Sequence, residues 1–167
     1  RVDCTDPQAP TFAFPGVSIR ARFTGTALDI RLADFAQVPG EATSNYYDIS
    51  IDGNAPIKLR VTPETELYKI ARGLSDGPHS VEIFKRNESS YQDFLSYGKG
   101  QFLGLRIDGG AKMLPVEARP LRVEFVGDSI TCGYGNEIAT ETPDDFHHTP
   151  QNSNAAIAWS ALAARAL

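Results

Sequence analysis

The sequence predicts a mixed fold: an antiparallel β-sandwich at the N-terminus, followed by the first strand, turn and helix of an α/β domain. Between residues 17 and 107 apolar and polar residues alternate with a period of two, which is typical of strands with one packed and one wet face. Turn residues interrupt this pattern often, and no helical periodicity occurs there. After the prolines at positions 115 and 120 the pattern changes, so we expect two domains, at residues 1–118 and 119–167.

Seven short strands are predicted in the first domain, which is the number expected of a sandwich or a barrel. Turn residues separate them, for example Thr24-Gly25-Thr26 and Asp108-Gly109-Gly110. The stretch from 87 to 100 is aromatic and is expected to be a packed loop. The expected strands are residues 17–24, 28–32, 47–52, 57–61, 67–71, 79–85 and 102–107.

The second domain begins like a βαβ unit. An apolar strand is predicted at Leu121–Val126, and a turn containing glycines follows it. A polar stretch then leads to a helix that is expected to start near Asn154, with Ser153 or Asn154 as its N-cap.

The predicted helix is apolar nearly all round, since only Ser160 and Arg165 are polar between residues 155 and 167. Such a helix is normally covered on more than one side, and Trp159 is expected to lie in the core. No second strand of the βαβ unit follows in the sequence, so we expect the α/β domain to be incomplete. We also expect a second polypeptide, either a downstream fragment or a swapped copy, to cover the helix.

Composition and charge disfavour two classes of partner. The 167 residues include 16 basic and 21 acidic side chains, giving a net charge of −5, and no basic cluster is longer than Lys85-Arg86. Nucleic-acid binding is therefore not expected. No apolar run approaches the roughly 20 residues that span a bilayer, so no membrane partner is expected. The two cysteines, Cys4 and Cys132, are expected to be unpaired, and no signal region follows the N-terminal arginine.

Gly127-Asp128-Ser129 places a hydroxyl where the predicted strand ends, and open α/β sheets bind ligands at the carboxyl ends of their strands. From the local residues alone, Ser129 is equally a nucleophile or a serine that caps a turn. For Asp128 we favour hydrogen bonds to the backbone of the turn over a catalytic-acid role. The reason is that adjacent side chains on extended backbone point opposite ways.

Three histidines could in principle activate a serine. His79 opens a predicted strand and is expected to be structural, whereas His147 and His148 lie in a polar stretch and are expected to be solvated. Two aspartates precede this pair, but their spacing matches no fixed zinc or calcium motif. Neither a metal nor another cofactor is therefore expected.

The residues around Ser129 carry a family resemblance. Gly127-Asp128-Ser129-Ile130-Thr131 resembles the first sequence block of the SGNH (GDSL-type) hydrolases. The longer string from Glu124 to Gly135 is similar to carbohydrate esterase family 2 in particular. Upstream, Phe23–Leu28, the Asp52-Gly53 turn and His79–Glu88 resemble that family's N-terminal β-sandwich. The resemblance extends from about residue 14 to residue 167.

This resemblance implies a jelly-roll-like sandwich followed by a flavodoxin-like, three-layer SGNH domain. In that domain Ser129 is the nucleophile and its backbone N–H an oxyanion donor, while Gly127 and Asp128 support the turn. The resemblance also implies a base histidine close to the end of the domain, and a Gly and an Asn that complete the oxyanion hole. None of these three positions occurs in the 167 residues.

Two functions remain open at this stage. The resemblance implies a secreted or periplasmic esterase that removes O-acetyl groups from plant polysaccharides such as xylan or glucomannan, by serine acyl transfer. The alternative is a carbohydrate-binding sandwich module that carries an incomplete, non-catalytic SGNH segment. Tyr134, five residues beyond Ser129, is the best candidate for a sugar contact; the others are Tyr46, Tyr91, Phe94 and Tyr97.

Overall fold

The computed structural model describes residues 2–35, 40, 43–88, 98–119, 121–139 and 148–167. In these ranges ten strands form two five-stranded antiparallel sheets, with the orders β1-β2-β9-β4-β7 and β10-β3-β8-β5-β6. The strands are β1 (Val2–Asp3), β2 (Thr11–Phe12), β3 (Ser18–Thr24), β4 (Ala27–Asp34), β5 (Asn45–Ile51), β6 (Ile57–Val61), β7 (Leu67–Arg72), β8 (Pro78–Lys85), β9 (Gly100–Ile107) and β10 (Met113–Leu114).

An apolar core lies between the two sheets, as expected when each strand turns one face inward. In the second sheet a row of isoleucines crosses three strands, because Ile83 of β8 lies opposite both Ile19 of β3 and Ile49 of β5. The first sheet contributes Leu28, Ile30 and Leu32 of β4. The buried residues of this core are Phe12, Phe23, Leu28, Ile30, Leu32, Tyr47, Ile49, Val61, Val81 and Ile83.

The seven strands predicted from alternation are confirmed as β3 to β9, and no end differs by more than two residues. The sequence missed β1, β2 and β10, each of which has two residues. A two-residue strand contains no period that could be recognised, and it is defined only by its pairing partner. Most of the predicted packed loop, residues 89–97, lies outside the described residues.

The turn after β5 is a tight reversal that orders a histidine. Asp52 and Gly53 both have positive φ, 53° and 72°, and the Asn54 N–H donates to the Ile51 carbonyl at 3.0 Å. The Asp52 carboxylate then accepts from the Ser80 N–H at 2.7 Å and from His79 Nδ1 at 2.7 Å. The turn thereby ties the end of β5 to the start of β8.

The C-terminal segment, residues 121–139 and 148–167, differs from the prediction in three ways. Leu121–Val126 is not a strand, since it pairs with no other described residues, and Val126 is 94% exposed. A strand exists only as part of a hydrogen-bonded ladder, so an apolar pattern without a neighbour does not form one. Trp159 is not in the core, because 54% of it is exposed and its described ring contact is Phe125.

The predicted helix is also shorter than expected and interrupted. Asn154 does act as an N-cap, accepting from the Ala156 N–H at 2.9 Å, but it caps a 3₁₀ turn at Ala155–Ile157. Ala158 then takes an extended conformation, with ψ at 153°, and the α-helix α1 covers Trp159–Arg165. Among the described residues, no helix has the length and apolar character needed to cross a bilayer.

His79 gives the sandwich a specific pH dependence. Its Nε2 donates to the Ser75 carbonyl at 2.8 Å and its Nδ1 to the Asp52 carboxylate, an arrangement that needs both ring protons. The hydrogen bonds to Ser75 and Asp52 raise the pKa of His79 above 6.5. A raised folded-state pKa contributes stability that is fully present below the unfolded pKa and is lost as pH rises through the folded pKa.

We therefore expect His79→Gln to lower the free energy of unfolding more at about pH 5.5 than at about pH 8.5, as measured by urea denaturation. Asp52→Asn, which removes the charged acceptor, should reduce the pH dependence of the His79→Gln effect and leave the part that comes from the Ser75 carbonyl. An equal effect of His79→Gln at both pH values would contradict this assignment of the imidazolium.

Candidate active site

The turn that contains Ser129 is held by its own backbone. The Asp128 carboxylate accepts from the Ile130 N–H at 3.1 Å and from the Thr131 N–H at 3.4 Å. The Ser129 carbonyl accepts from the Cys132 N–H at 3.1 Å and from the Tyr134 N–H at 2.9 Å. The carboxylate of Asp128 is thus engaged with the amides of the turn, as the sequence predicted, and it fixes the path of the chain on both sides of the serine.

The side chain of Ser129 is exposed, and its hydroxyl makes no hydrogen bond to any residue that the structure describes. The same holds for its backbone N–H, whereas the N–H groups that follow it are paired within the turn. The turn therefore presents an oxygen and an N–H donor together to the outside. An oxyanion hole requires a donor of this kind close to the nucleophile.

Two glycines allow the turn to be this tight. A Cβ on Gly127 would lie 2.2 Å from Oγ1 of Thr131, closer than any van der Waals contact. Gly133 has a φ of 77°, and a Cβ there would lie 2.4 Å from the Asn154 carbonyl oxygen. A side chain at either position would force the serine turn to open or to move away from residue 154.

Residues near the C-terminus brace the same turn from outside. The Asn154 N–H donates to the Gly133 carbonyl at 3.1 Å, and the Gly135 N–H donates to Oγ of Ser153 at 3.1 Å. Ser160 of α1 donates its hydroxyl proton to the Thr131 carbonyl at 3.0 Å. These contacts join residues that lie 18 to 29 positions apart in the sequence, so local patterns could not reveal them.

Tyr134 lies against His148, with ring centroids 3.5 Å apart and planes inclined by 12°. Tyr134 is 38% exposed, so part of its ring is open to a ligand. Nε2 of His148 lies 2.9 Å from Oγ of Ser153, and partial burial lowers the pKa of His148. No hydrogen bond joins this imidazole to Ser129, and His147 lies outside the described residues.

A group of ion pairs joins the serine turn to the sandwich. Glu137, two residues beyond Gly135, contacts Arg86 at 2.5 Å and Lys58 at 2.6 Å through Oε2. Its Oε1 accepts from Nδ2 of Asn154 at 2.7 Å. Desolvation alone would raise the pKa of Glu137, but the contacts with Lys58, Arg86 and Asn154 outweigh it and lower the pKa to about 2.

Two further titratable side chains lie behind the turn. Lys85 is fully buried at the end of β8, donates to the Asn87 carbonyl at 2.7 Å, and has its pKa lowered by desolvation to about 7. Cys132 is a free thiol whose pKa is raised by burial. Because only a thiolate is strongly nucleophilic, Cys132 is poorly suited to act as a nucleophile.

The other aromatic residues predicted as sugar contacts are either buried or outside the described residues. Tyr46 is buried in β5, so the prediction of a sugar contact there is wrong. The candidates Tyr91, Phe94 and Tyr97 lie outside the described residues. Among the described side chains no group of three or more His, Cys, Asp and Glu is placed to hold a metal ion.

Comparison with known proteins places this arrangement in one family. The carbohydrate esterase 2 N-terminal family matches residues 1–116. The cellulase/esterase CelE of Acetivibrio thermocellus is 34% identical over 169 aligned residues, covering 100% of this chain and 19% of CelE. An acetylxylan esterase / glucomannan deacetylase of Cellvibrio japonicus is 28% identical, covering 96% of this chain and 40% of that protein.

The solved structures agree with this result. A family two carbohydrate esterase from Clostridium thermocellum, in complex with cellohexaose, superposes with a TM-score of 0.79 at 32% identity. The alignment covers 99% of this chain and 46% of the esterase. The chain described here belongs to carbohydrate esterase family 2. It spans less than half the length of the relatives it matches.

The low pKa of Glu137 leads to a prediction about acid stability. A lowered folded-state pKa contributes stability above the unfolded pKa of 4.5, which is lost as pH falls through the folded pKa of about 2. We expect Glu137→Gln to destabilise the protein at neutral pH, and this penalty to shrink as the pH falls from 4.5 toward 2. Urea unfolding across that range measures it.

Glu66→Gln is the matched control, since Glu66 pairs with Arg31 at 3.4 Å where both side chains are exposed. Surface pairs contribute little, so this variant should show a small effect at every pH. A penalty for Glu137→Gln that is constant with pH would mean that its carboxylate is not held by the charges described above.

Proposed function

We propose that this chain carries the nucleophile of an esterase that removes O-acetyl groups from plant polysaccharides of the xylan or glucomannan type. The observation that supports this most directly is the exposed Ser129, whose hydroxyl and N–H are both without partners among the described residues. Relatives named as a cellulase/esterase and as an acetylxylan esterase / glucomannan deacetylase support the choice of an ester substrate.

In the proposed mechanism Oγ of Ser129 attacks the acetyl carbonyl while a general base takes the hydroxyl proton. The N–H of Ser129 donates to the oxyanion that forms. The sugar alcohol leaves with a proton returned by the base, and an acetyl-enzyme remains. Water, activated by the same base, then releases acetate and restores the serine. Asp128 takes no proton in this scheme, because its carboxylate holds the turn.

The base is assigned to a histidine on a polypeptide that completes the SGNH domain. His79 is engaged by Asp52 and Ser75, and His148 by Ser153, so neither is placed to accept the Ser129 proton. The division into a sandwich at 1–118 and an SGNH portion at 119–167 is part of this proposal. The flavodoxin-like architecture of that portion would be built only when the domain is complete.

Tyr134 is proposed as a sugar contact beside the nucleophile. An exposed aromatic ring can pack against the apolar C–H face of a sugar, and Tyr134 is fixed by its stack on His148. The cellohexaose complex of the clostridial esterase supports an oligosaccharide as ligand class. The polysaccharides in the names of the relatives also support a secreted or periplasmic location.

A carbohydrate-binding module without turnover is the second candidate. It is favoured by one observation: no described base lies within hydrogen-bonding distance of the Ser129 hydroxyl. In that case the chain would hold an oligosaccharide through Tyr134 and its surroundings, and would not cleave an ester.

The two candidates differ in an aryl-acetate assay on the protein together with its completing polypeptide. We expect Ser129→Ala to reduce hydrolysis at least about a thousandfold while polysaccharide binding is retained. Ser18→Ala is the control, since Ser18 is an exposed serine at the start of β3, and it should leave the rate unchanged. Absence of hydrolysis in the wild type, with retained binding, would favour the module instead.

The exposed apolar side chains of the C-terminal segment support the second polypeptide. Val126, Ile130 and Leu162 are large and exposed, as is Trp159, and exposed apolar side chains that form a patch often mark an interaction site. We propose that a segment completing the SGNH domain packs on this surface. Its apolar contacts would provide most of the association free energy.

We expect the 167-residue chain by itself to scatter light as a species larger than 18.2 kDa. The double variant Trp159→Gln, Leu162→Gln should return it toward the monomer mass, because it removes apolar area from the surface. Ile57→Gln, an exposed apolar position on β6, should not. A wild-type monomer that binds no apolar dye would contradict this proposal.

A further inference from the structure

Arg86 occupies an unusual position for a charged residue. It follows β8 directly, and its side chain is only 3% exposed. Its guanidinium contacts Asp48 of β5 at 2.5 Å through Nη1, and Glu137 at 2.5 Å through Nη2. One buried cation therefore bridges two carboxylates, one in the sandwich and one just beyond the serine turn.

The charges in this group balance. Arg86 and Lys58 supply two positive charges, and Asp48 and Glu137 supply two negative ones. A buried ion pair loses much of its Coulomb energy to desolvation, so it adds little net stability over an apolar replacement. What such a group does provide is a fixed position for each partner: Nη1 of Arg86 donates a directed hydrogen bond to Asp48, and Nη2 holds Glu137 in an ion pair without hydrogen-bond geometry.

Asn154 connects this group of ion pairs to the serine turn. Glu137 accepts from the side chain of Asn154, whose own N–H donates to the Gly133 carbonyl. In addition, the Arg86 carbonyl accepts from the Ala155 N–H at 2.9 Å. Both ends of the residue, guanidinium and carbonyl, therefore hold the segment that braces the turn.

We propose that Arg86 and Glu137 are positioning residues for the nucleophile, so that the sandwich is a structural part of the active site and not an appended module. This inference rests on the proposed role of Ser129. Acyl transfer requires the attacking oxygen to lie within a fraction of an ångström of its productive position, and a displacement of about 1 Å can reduce the rate about a hundredfold.

The test uses the complete protein and compares Arg86→Met, Arg86→Lys and Glu137→Gln with the wild type. A fluorophosphonate that labels the active serine counts competent sites, and kcat is expressed per labelled site. We expect Arg86→Met and Glu137→Gln to lower this kcat about tenfold to a hundredfold with little change in KM. Arg86→Lys, which keeps the charge, should recover part of the loss.

Arg31→Met is the matched control, because it removes an arginine from an exposed ion pair, with Glu66, on the other sheet. It should leave kcat per labelled site unchanged. A merely structural role for Arg86 would lower the melting temperature and the number of labelled sites but leave kcat per site at the wild-type value. That result would overturn the proposal.

A second measurement separates this inference from the proposed function. Hydrogen exchange of the Tyr134 and Asn154 amides, both bonded within the turn and its brace, reports the geometry without any turnover. We expect faster exchange at both amides in Arg86→Met, and no change at Ile83 in the centre of β8. If the wild type hydrolyses no ester, the esterase proposal fails. In that case unchanged exchange in Arg86→Met would overturn the positioning role, and faster exchange would support it.

Discussion

The structure depends on one constraint: each strand of the sandwich must turn an apolar row toward the opposite sheet. Ile83 satisfies it in the middle of β8, between Ile19 and Ile49. Because side chains alternate along a strand, a shift of one residue would reverse every side chain in this row. The packing of the core therefore fixes where β8 ends, and with it the places of Lys85 and Arg86. The core is connected to the segment that braces the serine turn through Arg86.

At the end of β8 the buried side chains are charged, whereas those in the middle of the strand are apolar. Lys85 and Arg86 are both buried, yet their surroundings differ. Lys85 has a carbonyl as its hydrogen-bond partner and loses much of its proton affinity through desolvation. Arg86, whose guanidinium is always protonated, instead contacts two carboxylates. The residue that contacts two carboxylates is thus the one that joins the sandwich to the segment of Ser129.

The sandwich could be predicted from the sequence because alternation is a local property, and β3 to β9 each contain enough residues to show it. The role of Asp128 in the turn could also be predicted, since it depends on neighbours two and three residues away. Whether residues 121–126 form a strand could not be predicted from their alternation alone, because a strand also needs a neighbouring strand to pair with. The contact between Arg86 and Glu137 joins residues 51 positions apart, and no local pattern encodes it.

One of the bonds described above is made by backbone alone, from the Ala155 N–H to the Arg86 carbonyl. Apart from proline at position 155, which would lack the N–H, no exchange of side chains removes it directly, since it depends on the path of the two segments. A recombinant in which another sandwich replaced this one would need the same backbone course after its last core strand, whatever its sequence. Transplantation of the C-terminal segment onto foreign modules is therefore restricted by main-chain geometry, and successful chimeras should preserve this junction.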